Sequence, residues 1–296
     1  NLGKVYRLKV HELPVGSRNA RGTAIVNLLP LEEGEHPTAV ITCRDFPKDE
    51  YLLFATKQGV VKKTAMSEYD KTRYDGLIAI NLKGGDELIN VRRVKPGEKV
   101  ILVTTDGKAI MFDESEAREM GRAAGGVRGI TLKSDATVLG MEITNGNGDL
   151  FVVTENGYGK RTPVSEYPEH KRGGQGVQTI AMTDKKGKLV ACRVVGPQHE
   201  LMIMSESGVV IRVRANEIPR LKRATQGVRI MNLPENDHVS AVARMVAKKK
   251  QAPKHDSNQM GLDLAAACAK EADDEEAIDI GGEEEVDEDS IDGDEE

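Results

Sequence analysis

An all-β fold of radial, propeller-like architecture is predicted for this chain by three observations. A short apolar run followed by a polar turn and a glycine recurs with a period near 50 residues. A second glycine-centred marker follows each turn at a nearly constant distance. The runs are four to six residues long and rich in β-branched side chains, the pattern of strands rather than of a helical solenoid.

The repeat is explicit. YLLFATKQG (51–59), VILVTTDG (100–107), LFVVTENG (150–157) and LMIMSESG (201–208) share one form, and NLGKVYRLKV joins it at the turn itself. The turn glycines are Gly3, Gly59, Gly107, Gly157 and Gly208, spaced by 56, 48, 50 and 51 residues. The second marker reads ARGTAIVNL, YDGLIAINL, AGGVRGITL, GQGVQTIAM and TQGVRIMNL. Its glycines, Gly22, Gly76, Gly126, Gly176 and Gly227, fall 19 residues after their turn glycine, or 17 in the second repeat. Five repeats are therefore placed near 1–50, 51–98, 99–149, 150–200 and 201–247, making one domain over 1–247.

Each repeat supplies about four strands, the content of one blade. The run before the turn is continuously apolar, so both of its faces are expected to be buried. The run after the turn is mixed, so one wet face is expected. Residues 113–121, DESEAREMG, are expected to form one helical turn. The turn glycines are conformational, supplying positive φ. The pairs Gly125-Gly126 and Gly173-Gly174 are also candidates for letting a phosphate approach backbone N–H groups.

Charge is segregated. Residues 1–250 carry 40 Lys and Arg against 30 Asp and Glu, and residues 251–296 carry 2 against 18. A basic body with an acidic end points to polyanion binding. The basic residues fall in phase with the repeat. Position four after the turn glycine is Arg7, Lys63, Met111, Arg161 and Arg212, reinforced by Lys62, Lys160 and Arg214. The loop before the second glycine holds Arg18 and Arg21, then Lys71 and Arg73, then Arg118 and Arg122. In the last two repeats it holds Lys171 and Arg172, then Arg220, Lys222 and Arg223. A radial fold gathers in-phase residues at one radius, so the sequence predicts a basic rim suited to a continuous polyanion. Duplex DNA is favoured over single strands, whose binders stack bases on aromatic rings; aromatics are 3% of this chain. Bending a duplex by 40–90° costs on the order of 1–6 kcal/mol, which many phosphate contacts must offset.

Other classes lose support. Cys43, Cys192 and Cys268 lie far apart, which argues against a disulfide framework or zinc site and suits a reducing cytosol. No apolar run approaches the roughly 18 residues of a membrane span, and no signal-peptide pattern opens the chain. The first repeat starts at its turn, so a piece of a longer chain is expected. The histidines have no metal-ligand spacing, and no GxxxxGK[ST] phosphate loop occurs. Residues 248–260 read as a linker and 261–269 as a short apolar stretch. Residues 271–296, with 16 acids and no Lys or Arg, have the composition of a disordered segment. Two readings of that acidic run stay open, a solvating tail or a competitor for the rim. In the second, deleting 251–296 tightens duplex binding at low salt; unchanged affinity rules it out.

The stretches RGTAIVNLLPLEEGE (21–35), GGDELINVRRV (84–94), GGVRGITL (125–132) and NGYGKRTPVSEYP (156–168) resemble the C-terminal domain of the bacterial DNA gyrase A subunit, over about residues 1–246. The resemblance implies a six-bladed β-pinwheel whose neighbouring blades exchange a strand and whose basic edge wraps duplex DNA. It further implies a non-catalytic part of an ATP-dependent, cytoplasmic topoisomerase. The cleavage tyrosine lies in the N-terminal cleavage-reunion part of the same polypeptide. ATP and Mg are expected elsewhere in an A2B2 assembly with the gyrase B subunit, with no cofactor and no membrane for this chain. The family's Q-R-R-G-G-K-G box has only a degenerate echo here, His170-Lys171-Arg172-Gly173-Gly174-Gln175-Gly176, and its function is not assigned to those residues. The alternatives are a propeller-like protein-interaction scaffold with an incidental basic surface and, more weakly, a propeller enzyme with its site at the hub.

Overall fold

A computed structural model describes residues 1–17, 19–133 and 135–246. Arg18 and the expected linker and acidic tail from 248 onward lie outside the described residues. Among the described residues the first repeat contributes only β1 (Lys4–Val5) as a strand. The second contributes β2 (Tyr51–Thr56), β3 (Val60–Ala65), β4 (Leu77–Ile78) and β5 (Leu88–Val94). The third contributes β6 (Lys99–Thr104), β7 (Lys108–Asp113), β8 (Val127–Arg128) and β9 (Val138–Thr144). The fourth supplies β10 (Asp149–Thr154), β11 (Tyr158–Pro163), β12 (Val177–Gln178) and β13 (Leu189–Val195). The fifth supplies β14 (His199–Ser205), β15 (Val210–Arg214), β16 (Val228–Arg229) and β17 (Val239–Val246). The helical turn expected within 113–121 is a 3-10 turn over Glu114–Glu116, capped by Asp113 Oδ1, which accepts from the Ser115 N–H at 2.9 Å.

Among the described residues no four-stranded sheet belongs to one repeat. The orders are β5-β2-β3-β8, β9-β6-β7-β12, β13-β10-β11-β16, β17-β14-β15 and β1-β4, all pairs antiparallel. In each four-stranded sheet the last strand comes from the following repeat. The strands β5, β9, β13 and β17 pack against one another in succession and form the hub. The exchanged strand is therefore the outermost of each blade.

The second-marker glycine makes this exchange possible. Gly176 has φ +69°, and a Cβ there would lie 2.6 Å from the Ala109 carbonyl oxygen of the blade it enters. Gly126 stands likewise against the Val61 carbonyl, 2.6 Å from a built Cβ. Side-chain strain at positive φ and a backbone clash act together, so Gly176→Ala is expected to destabilise by about 1–3 kcal/mol. In thermal unfolding that is a fall of roughly 2–12 °C. An unchanged Tm contradicts the role. Gly126 and Gly176 thus serve strand exchange.

The core lies between blades. Val100 and Leu102 of β6 pack with Leu53, Ala55 and Val61 of the preceding blade. Ile101 and Val103 pack with Leu150, Val152 and Cys192 of the following one. Alternation along a strand sends neighbours to opposite faces, and both faces are covered, which is why the run is continuously apolar.

Two expectations are corrected. The strand after the turn was expected to keep a wet face, but Val61–Ala65 of β3 are all buried, because neighbouring blades cover its faces and the next repeat covers its edge. Only β15, which receives no exchanged strand among the described residues, alternates between exposed and half-buried positions. The first repeat, expected to be a blade, forms no four-stranded sheet among the described residues. In the other repeats the hub strand pairs with the run before the turn. The residues equivalent to an exchanged strand, Thr23 and Ala24, form no strand, and a 3-10 turn at Ile25–Asn27 follows them, with Ile25 and Val26 exposed.

Candidate nucleic-acid interface

Beyond the third strand of each blade runs the loop that precedes the second glycine. Parallel bridges Lys63–Glu119, Met111–Glu169 and Arg161–Arg220 lay that loop along the strand of the preceding repeat. The Met120 N–H donates to the Lys63 carbonyl at 2.9 Å, His170 to Met111 at 2.8 Å, and Leu221 to Arg161 at 2.7 Å. Adjacent loops are then joined. The N–H of Asn81 donates to Ala124 O at 3.2 Å, that of Thr131 to Gly174 O at 2.9 Å, and that of Ala181 to Thr225 O at 3.0 Å. The outer edge is one hydrogen-bonded succession of loops.

The two predicted sets of cations separate cleanly on this frame. Lys71, Arg73, Arg118, Lys171, Arg220 and Lys222 on the loops are exposed, and Arg122, Arg172 and Arg223 are half-buried. Arg21 is exposed in the irregular first repeat. Some loop cations are already engaged. Arg220 Nη2 lies 2.9 Å from Asp149 Oδ1, and Arg172 donates from Nε to Glu116 O at 2.7 Å and from Nη1 to Arg128 O at 3.1 Å.

The strand set requires correction. Lys62 and Lys160 are wholly buried, with relative exposure 0%. Lys62 Nζ donates to the carbonyls of Ala79, at 2.5 Å, and Arg122. Lys160 Nζ donates to the carbonyls of Lys222 and Arg223, each at 2.6 Å, and to Thr225 Oγ1 at 3.0 Å. Burial, the dominant cause in both, pushes each ammonium down to about 8. Lys63 is buried against Glu114, Nζ to Oε2 2.5 Å, with the Tyr51 ring 5.0 Å away. Arg161 donates from Nη1 to Asp149 Oδ2 at 2.8 Å and from Nε to Ile218 O at 2.8 Å. These four side chains brace the edge from beneath and offer nothing to a ligand outside. Of the others, Arg212 is exposed yet bound to Glu200, Nε to Oε2 2.8 Å, Arg214 is exposed, and Arg7 is exposed beside Asp70.

Sequence reasoning missed Arg128 and Arg229, both exposed, at the second position of the exchanged strands β8 and β16. The signal was the G-V-R at 126–128 and 227–229, which sits on the outermost strand once exchange is recognised. Among the described residues no group of three His, Cys, Asp or Glu could hold a metal ion, and no helix is long and apolar enough to cross a membrane.

Comparison with known proteins closes the assignment. The family described as DNA gyrase C-terminal domain, beta-propeller, matches residues 1–44, 50–95, 98–145, 148–196 and 199–244. The DNA gyrase A protein of Staphylococcus epidermidis is 42% identical over 248 residues, covering 83% of this chain and 28% of that protein. Its Salmonella typhimurium counterpart is 42% identical over 243 residues, 82% of this chain and 28% of its own length. The chain thus spans little more than a quarter of these relatives. Two solved structures share the architecture. The C-terminal domain of DNA topoisomerase IV superposes with TM-score 0.78 at 27% identity, covering 92% of this chain and 82% of that one. A DNA gyrase A C-terminal domain gives 0.73 at 26% identity, covering 83% and 80%. With five matched segments in phase with its blades and its exchanged strands in place, this chain belongs to the DNA gyrase C-terminal domain family of β-propellers.

Proposed function

We propose that this chain is a non-catalytic module that wraps and bends duplex DNA along its outer edge, and that the wrap gives gyrase its negative-supercoiling activity. The observation that carries the reading is the edge itself: successive loops joined by hydrogen bonds, each bearing exposed cations. Phosphates spaced along a duplex meet such a track without any base being read. The module acts within an A2B2 assembly of a cytoplasmic bacterial enzyme. The remaining gyrase A sequence supplies the cleavage tyrosine, and ATP and Mg are used by other parts. Bacterial gyrase A relatives that extend far beyond the matched region support that placement.

A salt titration distinguishes this from a protein-interaction scaffold. Wrapping predicts that log affinity for a mixed-sequence duplex falls linearly with log salt, with a slope of about −0.9 per phosphate neutralised. A shallow slope with weak binding contradicts it.

A further inference from the structure

On the outer edge of the fourth repeat three cations converge on one tyrosine. Tyr158 and Arg229 form a cross-strand pair between β11 and the exchanged β16. Arg229 Nη2 donates to the Tyr158 hydroxyl oxygen at 2.8 Å, and its Cζ lies 5.3 Å from the ring centroid. Lys186 Nζ stands 4.9 Å from the same centroid and donates to Gln226 O and Oε1, both at 3.0 Å. Lys185 borders the same groove, a hollow of about 250 Å³ whose apolar lining is Met231, Leu233 and Pro234. The Arg229 hydrogen bond, with the charges of Arg229, Lys185 and Lys186, lowers the Tyr158 phenol from its ordinary value.

None of these cations has a carboxylate within 4.0 Å among the described residues; the acid bordering the loop is Glu155, which lies against Gly187. Asp237, which also lines the groove, is occupied. Its carboxylate accepts from Ser207 Oγ at 2.6 Å and from the N–H groups of Ser207 and His238 at 3.0 Å each. The tyrosine hydroxyl accepts from Arg229 and keeps its own proton to donate. An arginine fork, two ammonium groups and a phenol donor around an open groove complement a phosphate group. Through Gln226 the cluster is tied to the fifth repeat's edge loop.

We infer that Tyr158, Lys185, Lys186 and Arg229 form a phosphate-binding subsite, which holds a duplex phosphodiester where the track passes from the fourth repeat to the fifth. This rests on the wrapping function proposed above. The test uses the 296-residue chain with K186Q/R229Q, with Tyr158→Phe and, should the double variant fail to fold, with K185Q. Lys95→Gln, whose lysine pairs with Glu50, is the control. For K186Q/R229Q the duplex salt slope is expected to fall by about 1 to 2 and affinity at 0.1 M salt by roughly 8-fold or more. K185Q is expected to lower the slope by about 1. Tyr158→Phe should weaken binding while leaving the slope nearly intact, and Lys95→Gln should match the parent. If the parent binds duplex with a steep slope and the folded variants equal it, the subsite is refuted while wrapping stands. If the parent itself shows no steep slope, it is wrapping that fails. A second arm follows Tm with inorganic phosphate and with deoxyadenosine monophosphate. Stabilisation of the parent alone by these, with equal duplex slopes, assigns the groove to free phosphate and overturns the duplex source.

Discussion

Neutralising Lys71, Arg118, Lys171 and Lys222 together, each to Gln, is expected to lower duplex affinity about 10³-fold at 0.1 M salt. All four are exposed on the edge loops of successive repeats, and none has a carboxylate within 4.0 Å among the described residues. Each phosphate contact contributes close to 0.9 to the salt slope, so four contacts are worth about 3.6 in log affinity per tenfold change in salt. The slope should therefore fall by about 4 while the unfolding transition stays put. Neutralising Arg161 should do the reverse. Its guanidinium is 11% exposed and paired with Asp149, so Arg161→Gln leaves a buried carboxylate with one partner fewer. Breaking such a pair costs about 3–5 kcal/mol, and the slope should barely move. Electrophoretic mobility at several salt concentrations, with Tm measured in parallel, separates the two patterns. A large slope change for Arg161→Gln and none for the quadruple variant reverses the assignment of track and brace.

The second large effect concerns the buried lysines. Lys160→Met keeps most of the apolar stem but removes the donor to the Arg223 carbonyl and to Thr225 Oγ1, while the Lys222 carbonyl still accepts from Thr225 Oγ1 at 2.9 Å. At about 1 kcal/mol for each group left without its donor, a loss of about 2 kcal/mol is expected, or roughly 4–8 °C in Tm. Lys62→Met leaves the Arg122 carbonyl without that donor, the Ala79 carbonyl keeping Tyr69 Oη at 3.5 Å, and should lose somewhat less. The pH dependence has a definite sign. The folded value is near 8 for both lysines, below the ordinary 10.5. Between those values the unfolded chain holds protons that the folded chain has released, so these groups make stability rise with pH from about 8. Over the same interval two positive charges vanish beneath the edge, and duplex affinity should fall. The double Met variant should show neither change from pH 7 to 9.5. A parent whose stability and affinity both ignore pH there contradicts the burial argument.

These two lysines also show what sequence could and could not reveal. The blades were legible because apolar runs, turns and glycines recur in phase, and that phase comes from a backbone geometry shared by the repeats. Position-four phase likewise places Lys63, Arg161 and Arg212 equivalently, yet equivalence of place does not fix exposure. Lys62 and Lys63 are neighbours on one strand and must point to opposite faces, and both faces of β3 meet another blade. A burial pattern decided by neighbouring repeats cannot be read from the strand alone. Arg212 escapes burial only because β15 receives no exchanged strand among the described residues. The alternation continues at the junction between the third and fourth repeats. There Ile110 stands where Lys62 and Lys160 stand, and the loop is held by its own Arg172 instead. Identical phase thus hides two ways of fastening an edge loop, with consequences for which arginines are left facing outward.

DNA topology reads a handed wrap directly. A nicked plasmid is sealed with the 296-residue protein bound, deproteinised and resolved by gel. Wrapping along the edge loops should shift the linking number with one sign, the shift growing with protein and disappearing in the Lys71, Arg118, Lys171 and Lys222 quadruple variant. A topoisomer distribution identical to that sealed without protein, at concentrations where the duplex is bound, contradicts it.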